Sequence, residues 1–176
     1  MKTYKSLQLW LSLSASLDGL YAHLLRHYLL YILMVLSIWA FALHYELFVN
    51  LSESLPGTLY VVEKNQIPNK GDYAAFYYSS DFLYPKGARF LKRVVGVAGD
   101  VVSTRNHHFF VNGQEVGYAL GTTSSGKPIL ASSFAGVIPP GYFYVRGDHP
   151  LSLDSRYQAV GLVSKQIIFG CGFKLF

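Results

Sequence analysis

An uncharged apolar run near the N-terminus constrains the fold more than any other feature of the sequence. Residues 28–43 read YLLYILMVLSIWAFAL and contain no charged residue, proline or glycine. With its flanking histidines, the run approaches the ~20 residues that an α-helix needs to cross a ~30 Å hydrocarbon core. A helix buried in a soluble core usually keeps a polar stripe, whereas this run has only Ser37 and carries Tyr and Trp near its ends. The sequence therefore predicts a transmembrane helix over residues 27–48.

Charges on either side of this run predict its orientation. Lys2, Lys5 and Arg26 precede it, and Glu46 and Glu53 follow it. By the positive-inside rule, the N-terminus lies in the cytoplasm and the chain after the span lies outside. A cleaved signal peptide is the alternative, but HYELFVN lacks the small residues of a cleavage site. We expect a single-pass protein of the cytoplasmic (inner) membrane with its main domain in the periplasm or outside the cell.

Residues 1–26 form the predicted cytoplasmic segment. Its part from 6 to 25 is mildly apolar with interspersed serines. An interfacial helix on the inner leaflet and a flexible tail both fit that pattern.

Composition limits the partners and cofactors. Hydrophobic residues make up 51% of the chain and charged residues 14%, which excludes a disordered protein. The formal charge is +5, but the basic residues are scattered and no nucleic-acid motif is present, so we expect no nucleic-acid partner. Cys171 is the only cysteine, and His107 and His108 beside a hairpin are typical of a surface. We expect no metal and no cofactor.

Beyond the span, short runs rich in β-branched and aromatic residues replace the helical pattern. They occupy residues 58–63, 72–78, 88–97, 100–104 and 109–116, and further runs lie near 142–146 and 158–170. Turn residues separate them, and Asn112-Gly113 is typical of a type I′ hairpin. The fold class is therefore mainly β: a barrel or sandwich over residues 49–176, tethered by one transmembrane helix. The Gly/Ser-rich loop 117–136 is either a small lobe or a mobile flap near a site.

Three segments place reactive side chains next to turn residues. The first reads NLSESLPG over residues 50–57 and holds a serine on a backbone stiffened by proline and turned by glycine. By itself, a serine-rich linker beside the membrane explains it equally well.

The second segment, FLKRVVGVAGD, places Lys92 within an apolar strand. Successive side chains of a strand point to opposite faces, so one of Lys92 and Arg93 faces inward. Burial lowers the pKa of a lysine, and a neutral amine can take a proton from a serine hydroxyl. The alternative is a solvated lysine on an edge strand.

The third segment, residues 147–161, holds Asp148, Ser152, Asp154 and Arg156 in a turn-rich stretch. Asp154 and Arg156 lie two positions apart and can pair if the backbone bends. Such a buried pair would stabilise a loop beside a site rather than take part in chemistry.

Together these segments resemble the type I signal peptidases of the serine/lysine class, and most closely their conjugative-transfer (TraF-type) branch. The resemblance extends from the membrane span to about Gly161. It comprises, in order, the anchor, the serine segment, KRVVGxxGD, the FVNG hairpin, PPGYFYVRGD and SxDSRxxG. Only Leu55 separates Ser54 from Pro56, as in that branch, whereas Pro56 directly precedes Gly57 at a place where that branch has another residue between them.

The resemblance implies roles for named residues. Ser54 corresponds to the nucleophile and Lys92 to the general base. Ser52 corresponds to the residue whose hydroxyl helps to bind the oxyanion, together with the Ser54 amide. We expect the Ser54 hydroxyl oxygen and the Lys92 amine to lie near hydrogen-bond length.

The resemblance also implies a supporting set. Ser152 corresponds to the residue that holds the lysine amine by a hydrogen bond. Asp154 and Arg156 correspond to a structural pair behind the site, with Asp148 near it.

The resemblance implies a membrane-bound serine endopeptidase that cuts an exported precursor, and we expect that precursor to be a conjugative pilin. Ser54 lies about eight or nine residues beyond the span, so an extended tether keeps it within ~30 Å of the lipid. Hydrolysis and closure of the pilin into a ring on the same dyad both remain open. An alternative of another class is a non-catalytic, membrane-anchored assembly protein of a pilus or secretion apparatus.

Overall fold

The computed structural model describes residues 2–123 and 125–176, with side chains from residue 17 onward. Met1, in the predicted N-terminal segment, and Ser124, in the predicted loop, lie outside the described residues. The chain forms two compact units, of which the first ends at Leu43 and the second runs from His44 to Phe176. Each unit is described by itself.

The first unit belongs to a single helix, α1, that spans Lys2–His44. Its stretch Leu17–His44 has a mean hydropathy of 1.7 and is long and apolar enough to cross a membrane. The apolar side chains of this stretch are exposed, unlike those of a core helix. Residues 6–25 continue the same helix, so their backbone is helical rather than a flexible tail.

The second unit is built from strands. Among the described residues it contains β1 (Tyr45–Val49), β2 (Leu59–Lys64), β3 (Tyr73–Tyr77), β4 (Arg89–Gly96), β5 (Val101–Arg105), β6 (His108–Val111), β7 (Gln114–Tyr118), β8 (Gly136–Val137), β9 (Tyr142–Arg146), β10 (Val163–Ser164) and β11 (Ile168–Lys174). One turn of 3-10 helix, Lys165–Ile167, connects β10 to β11.

The end of the predicted span differs from the prediction. The helix stops at His44, and Tyr45–Val49 forms β1, whereas the sequence predicts helix to residue 48. The segment YELFV is apolar enough to extend the helical run, but its backbone groups pair antiparallel with β2. A separate ion pair between Glu46 and Arg89 connects β1 to β4.

Two sheets form the β domain, which confirms the mainly β class. The larger has the strand order β1-β2-β11-β3-β4-β9-β10, and the smaller has the order β7-β6-β5-β8. A shared core packs residues of both sheets, among them Val94, Phe109 and Tyr144. Strand β11 lies between β2 and β3, so it brings the last segment of the chain beside the first strands.

Local sequence signals located most of the strands. The predicted runs at 58–63, 72–78, 88–97 and 100–104 match β2 to β5 within about two residues at each end, the usual uncertainty of such limits. Asn112 and Gly113 connect β6 to β7 with φ angles of 50° and 79°. Positive φ at both positions is the geometry of a type I′ turn, so the predicted hairpin is confirmed.

Candidate active site

The two candidate serines lie on the loop that connects β1 to β2, here called the serine turn (residues 50–58). The backbone N–H of Asn50 closes it by donating a 2.8 Å hydrogen bond to the Thr58 carbonyl. Within the turn, the Ser52 and Ser54 hydroxyl oxygens are 2.8 Å apart, a hydrogen bond. Ser54 is half-buried and Ser52 is exposed.

Several contacts hold the serine turn from behind. The Asn50 side chain donates to the carbonyl oxygens of Leu55 and Gly57, both at 3.0 Å. The Tyr60 hydroxyl donates to the Pro56 carbonyl. The Asp148 amide donates a 2.7 Å hydrogen bond to the Ser54 carbonyl, which ties the turn to the loop after β9. The turn is therefore held at both ends and at its middle.

Lys92 lies on β4, which is flanked by β3 and β9 and is not an edge strand. Only 6% of Lys92 is exposed, whereas the side chain of Arg93 is 37% exposed. The alternation of the strand thus turns Lys92 inward, as one of the two sequence interpretations predicts. A solvated lysine at this position is not what the structure contains.

The Lys92 amine has one hydroxyl partner and an apolar surrounding. Its Nζ donates a 2.8 Å hydrogen bond to Ser152 Oγ and lies 5.6 Å from the centre of the Phe90 ring. Burial lowers the pKa of the amine to about 8, although the nearby Asp154 carboxylate acts in the opposite direction. A lysine with this pKa is partly neutral near pH 7 and can accept a proton.

Ser152 reaches the lysine from the loop between β9 and β10. A Cβ atom at Gly147 would lie 1.9 Å from Ser152 Oγ, so the Ser152 side chain occupies space that only glycine leaves open. The Gly147 amide in turn donates a 2.8 Å hydrogen bond to Asp154. Glycine at position 147 is therefore required for the Ser152 side chain to occupy this position.

Asp154 and Arg156 form a buried pair behind Ser152. The Arg156 Nε and Nη2 atoms donate to the two carboxylate oxygens of Asp154, each at 2.8 Å, and the residues are 1% and 0% exposed. Arg156 also donates to the carbonyls of Ser152, at 3.2 Å, and Tyr118, at 2.9 Å. The pair thus links the Ser152 loop to the start of the 117–136 loop.

One cavity of about 640 Å³ brings the candidate residues together. Its lining includes Ser52, Ser54, Lys92 and Ser152. Apolar side chains cover much of the remaining wall, including Leu83, Tyr84, Phe90, Leu120, Ile129 and Leu153. Leu120 and Ile129 come from the 117–136 loop, so this loop contributes to the site.

Within the cavity, the two residues of the predicted dyad, Ser54 and Lys92, form hydrogen bonds to different partners. Among the described residues, the Ser54 hydroxyl is bonded to Ser52, and the Lys92 amine is bonded to Ser152. No hydrogen bond joins Ser54 Oγ to Lys92 Nζ, although we expected the two to lie near that length. Catalytic hydrogen bonds are often long or poorly aligned before substrate binds and tighten in the complex with substrate.

Asp148, which the resemblance implies to be near the site, lies outside the cavity lining, with its carboxylate 3.6 Å from Arg93.

Two residues that support the site were not predicted from the sequence. Asn50 and Tyr60 had no predicted role, yet both hold the serine turn. An asparagine two positions before a serine is a signal for a local side-chain-to-backbone turn, and it could have identified Asn50.

The amino-acid sequence of this chain is similar to those of known proteins. The family model described as "Signal peptidase, peptidase S26" matches residues 21–174. Signal peptidase I P of Bacillus subtilis subsp. natto is 34% identical over 92 residues, which cover 48% of this chain and 49% of the relative. Signal peptidase I U of Bacillus subtilis strain 168 is 33% identical over 91 residues, covering 48% of each chain.

A solved structure also matches. The crystal structure of a signal peptidase I from Enterococcus faecalis is 25% identical, with a TM-score of 0.40, and the match covers 60% of this chain and 96% of that one. The chain spans about half the length of the curated relatives it matches. Because the family model covers most of its length, the chain belongs to the signal peptidase family, peptidase S26.

Proposed function

We propose that this protein is a membrane-anchored serine endopeptidase in which Ser54 is the nucleophile and Lys92 the general base. The observation that carries the proposal is a buried lysine amine, with its pKa lowered to about 8, that lines the same cavity as the Ser54 hydroxyl. A lysine without water around it is the kind of base that a serine needs, since the hydroxyl is a weak nucleophile until its proton is removed.

Acylation would proceed by transfer of one proton to Lys92 and back. The neutral Lys92 amine takes the Ser54 proton as Oγ bonds to the carbonyl carbon of the scissile peptide. The Ser52 hydroxyl and the Ser54 amide donate hydrogen bonds to the resulting oxyanion. When the C–N bond breaks, Lys92 returns the proton to the leaving amine, and an ester to Ser54 remains.

Supporting residues set the geometry of these steps. Ser152 accepts a hydrogen bond from the Lys92 amine and limits its rotation. The Asp154–Arg156 pair supports the loop that carries Ser152, through hydrogen bonds to Gly147 and to the Ser152 carbonyl. An amine base that is oriented in advance loses less entropy in the transition state.

The proposed substrate is an exported precursor, specifically a conjugative pilin, cut beside the membrane. The resemblance to the conjugative-transfer branch supports this choice, and by the same resemblance small residues such as alanine precede the cut at −1 and −3. The helix Leu17–His44 supports anchoring, and the flanking charges support a cytoplasmic N-terminus and a periplasmic β domain.

The test compares processing of a purified pilin precursor by the full-length protein in detergent. We expect Ser54→Ala and Lys92→Ala to lower the cleavage rate by about a thousandfold or more. Ser103→Ala and Lys86→Ala are matched controls, since both residues are exposed and outside the cavity lining, and both should leave the rate unchanged. Processing at the wild-type rate by both active-site variants would contradict the dyad.

The same assay separates the two outcomes for the acyl-enzyme. Attack by water on the ester releases a linear product, whereas attack by the amine of the same chain gives a ring that is lighter by one water. Mass spectrometry distinguishes the two. A wild-type protein that processes no precursor would favour the non-catalytic assembly protein instead.

A further inference from the structure

We propose that Asn50 is a positioning residue of the reaction, whose side-chain amide holds the Ser52 hydroxyl in place against Ser54. The inference rests on the proposed function, because it concerns the serine that is the proposed nucleophile. Asn50 lies at the start of the serine turn, and its side chain contacts both halves of that turn.

The contacts settle which end of the Asn50 amide faces which neighbour. The Nδ2 atom lies 3.0 Å from each of two carbonyl oxygens, those of Leu55 and Gly57. Carbonyl oxygens only accept hydrogen bonds, and Nδ2 has two protons to donate. The opposite orientation would place oxygen against two oxygens, so Oδ1 faces Ser52.

Oδ1 receives two donors from Ser52. The backbone N–H of Ser52 lies 3.3 Å away and its hydroxyl oxygen lies 3.1 Å away. Because Oδ1 cannot donate, the single hydroxyl proton of Ser52 points to Asn50. Ser52 Oγ is then left to accept the proton of Ser54, across the 2.8 Å between the two oxygens.

These contacts give Asn50 two separable roles. Its Nδ2 end braces the backbone after Ser54, and its Oδ1 end sets the rotamer of Ser52 beside the nucleophile. When a substrate carbonyl becomes an oxyanion, the Ser52 proton turns towards it by rotation about the Cβ–Oγ bond, while the Ser52 backbone N–H stays bonded to Asn50 Oδ1 and keeps the serine in place. Placing a donor before the reaction is what makes it effective in stabilising developing charge.

A double-mutant cycle tests this coupling. The kcat and KM for precursor cleavage are measured for the wild type, Asn50→Ala, Ser52→Ala and the double variant. We expect Asn50→Ala to lower kcat about tenfold with little change in KM, which is the effect of one well-placed hydrogen bond. In the Ser52→Ala background, the same change should cost only about two- to threefold. An equal loss of kcat in both backgrounds would overturn the proposal.

Asn50→Asp separates positioning from scaffolding. It keeps the acceptor for Ser52 but replaces the donor that braces the turn, so thermal stability should fall at least as far as in Asn50→Ala. The kcat of Asn50→Asp should nevertheless stay closer to that of the wild type. If kcat instead follows the melting temperature across the variants, Asn50 is a scaffold residue and the proposal fails.

Two further comparisons keep the test decisive. If Asn50→Ala does not fold, Asn50→Asp takes its place. Adding Ser52→Ala should then lower kcat by the same factor in the Asn50→Asp protein as in the wild type. A smaller loss in the Asn50→Asp protein would overturn the inference. If cleavage by the wild type depends on Ser54 but the effects of Asn50→Ala and Ser52→Ala on kcat are additive, only the role of Asn50 is rejected. A wild type as inactive as Ser54→Ala would reject the proposed function as well.

Discussion

Lys92 Nζ donates a 2.8 Å hydrogen bond to Ser152 Oγ inside the β domain, and the two side chains are only 6% and 5% exposed. The amine therefore has a hydroxyl partner in place of water. A hydroxyl offers the charged form less than bulk water does, and for this reason burial dominates the lowered pKa. The same contact orients the amine, while burial lowers its affinity for the proton.

The pH dependence of activity should follow the Lys92 amine. Only the neutral amine accepts a proton, and its pKa is about 8, so kcat/KM should rise with pH and level off above that value. Below it, the rate should fall about tenfold per pH unit. Initial rates of precursor cleavage measured from pH 6 to pH 10 provide the test. A rate that is constant across this range would be inconsistent with lysine as the base.

Ser152→Ala should impair the base without disturbing substrate binding. The amine would keep its burial but lose the oxygen that orients it, so kcat should fall about tenfold while KM changes little. Steady-state kinetics on the full-length protein measures both parameters. Ser103→Ala, an exposed serine on β5, is the matched control. Unchanged kcat in Ser152→Ala would show that the hydrogen bond is incidental.

The buried lysine should cost stability at neutral pH. The pKa of its amine is about 8 in the folded protein, against 10.5 for an ordinary lysine, so the unfolded chain binds more protons than the folded protein between these values. Unfolding free energy contributed by Lys92 therefore rises with pH from about 8 to 10.5 and is lowest below that window. Lys92→Met should stabilise the protein by roughly 3 kcal/mol at pH 7 and by little above pH 10.5.

Denaturant unfolding of the full-length protein in detergent at both pH values measures this difference. An equal gain at both values would point to packing by methionine rather than to the charge. No gain at either would mean that the amine is already well solvated in the folded state.

Breaking the buried Asp154–Arg156 ion pair should be among the most destabilising single substitutions in the β domain. Asp154→Asn leaves a buried guanidinium without its counter-charge, which costs about 3–5 kcal/mol. Lys70→Ala removes the ion pair with Asp100, in which the lysine side chain is 47% exposed, and should cost no more than about 1 kcal/mol. Thermal melts of both variants provide the comparison. Similar losses in the two would argue against a special role for burial.

Local patterns predicted much of this fold because each strand and turn depends on its own residues. The type I′ hairpin is an example, since Asn112 and Gly113 tolerate positive φ wherever the chain places them. The inward face of Lys92 likewise follows from strand alternation. The candidate site residues were proposed because they stand beside turn residues, and the pairing of Asp154 with Arg156 needs only a bend between neighbours.

Features that depend on distant partners were not accessible in this way. The segment Tyr45–Val49 is apolar enough to continue a helix, and only pairing with β2 makes it a strand. Nothing in Ile168–Lys174 reveals that it inserts between β2 and β3. The wall that Leu120 and Ile129 give to the cavity depends on how the 117–136 loop folds back onto the core.

The proton affinity of Lys92 is the most direct test of the proposed mechanism. In protein labelled with carbon-13 at lysine, the Cε chemical shift reports the charge of each amine, and Lys92→Met identifies the signal. Carried out on the inactive Ser54→Ala variant, the titration should give an inflection near pH 8 for this one lysine. An inflection above pH 10, at the value of an exposed lysine, would contradict the account, because the amine would then be protonated whenever the serine needs a base.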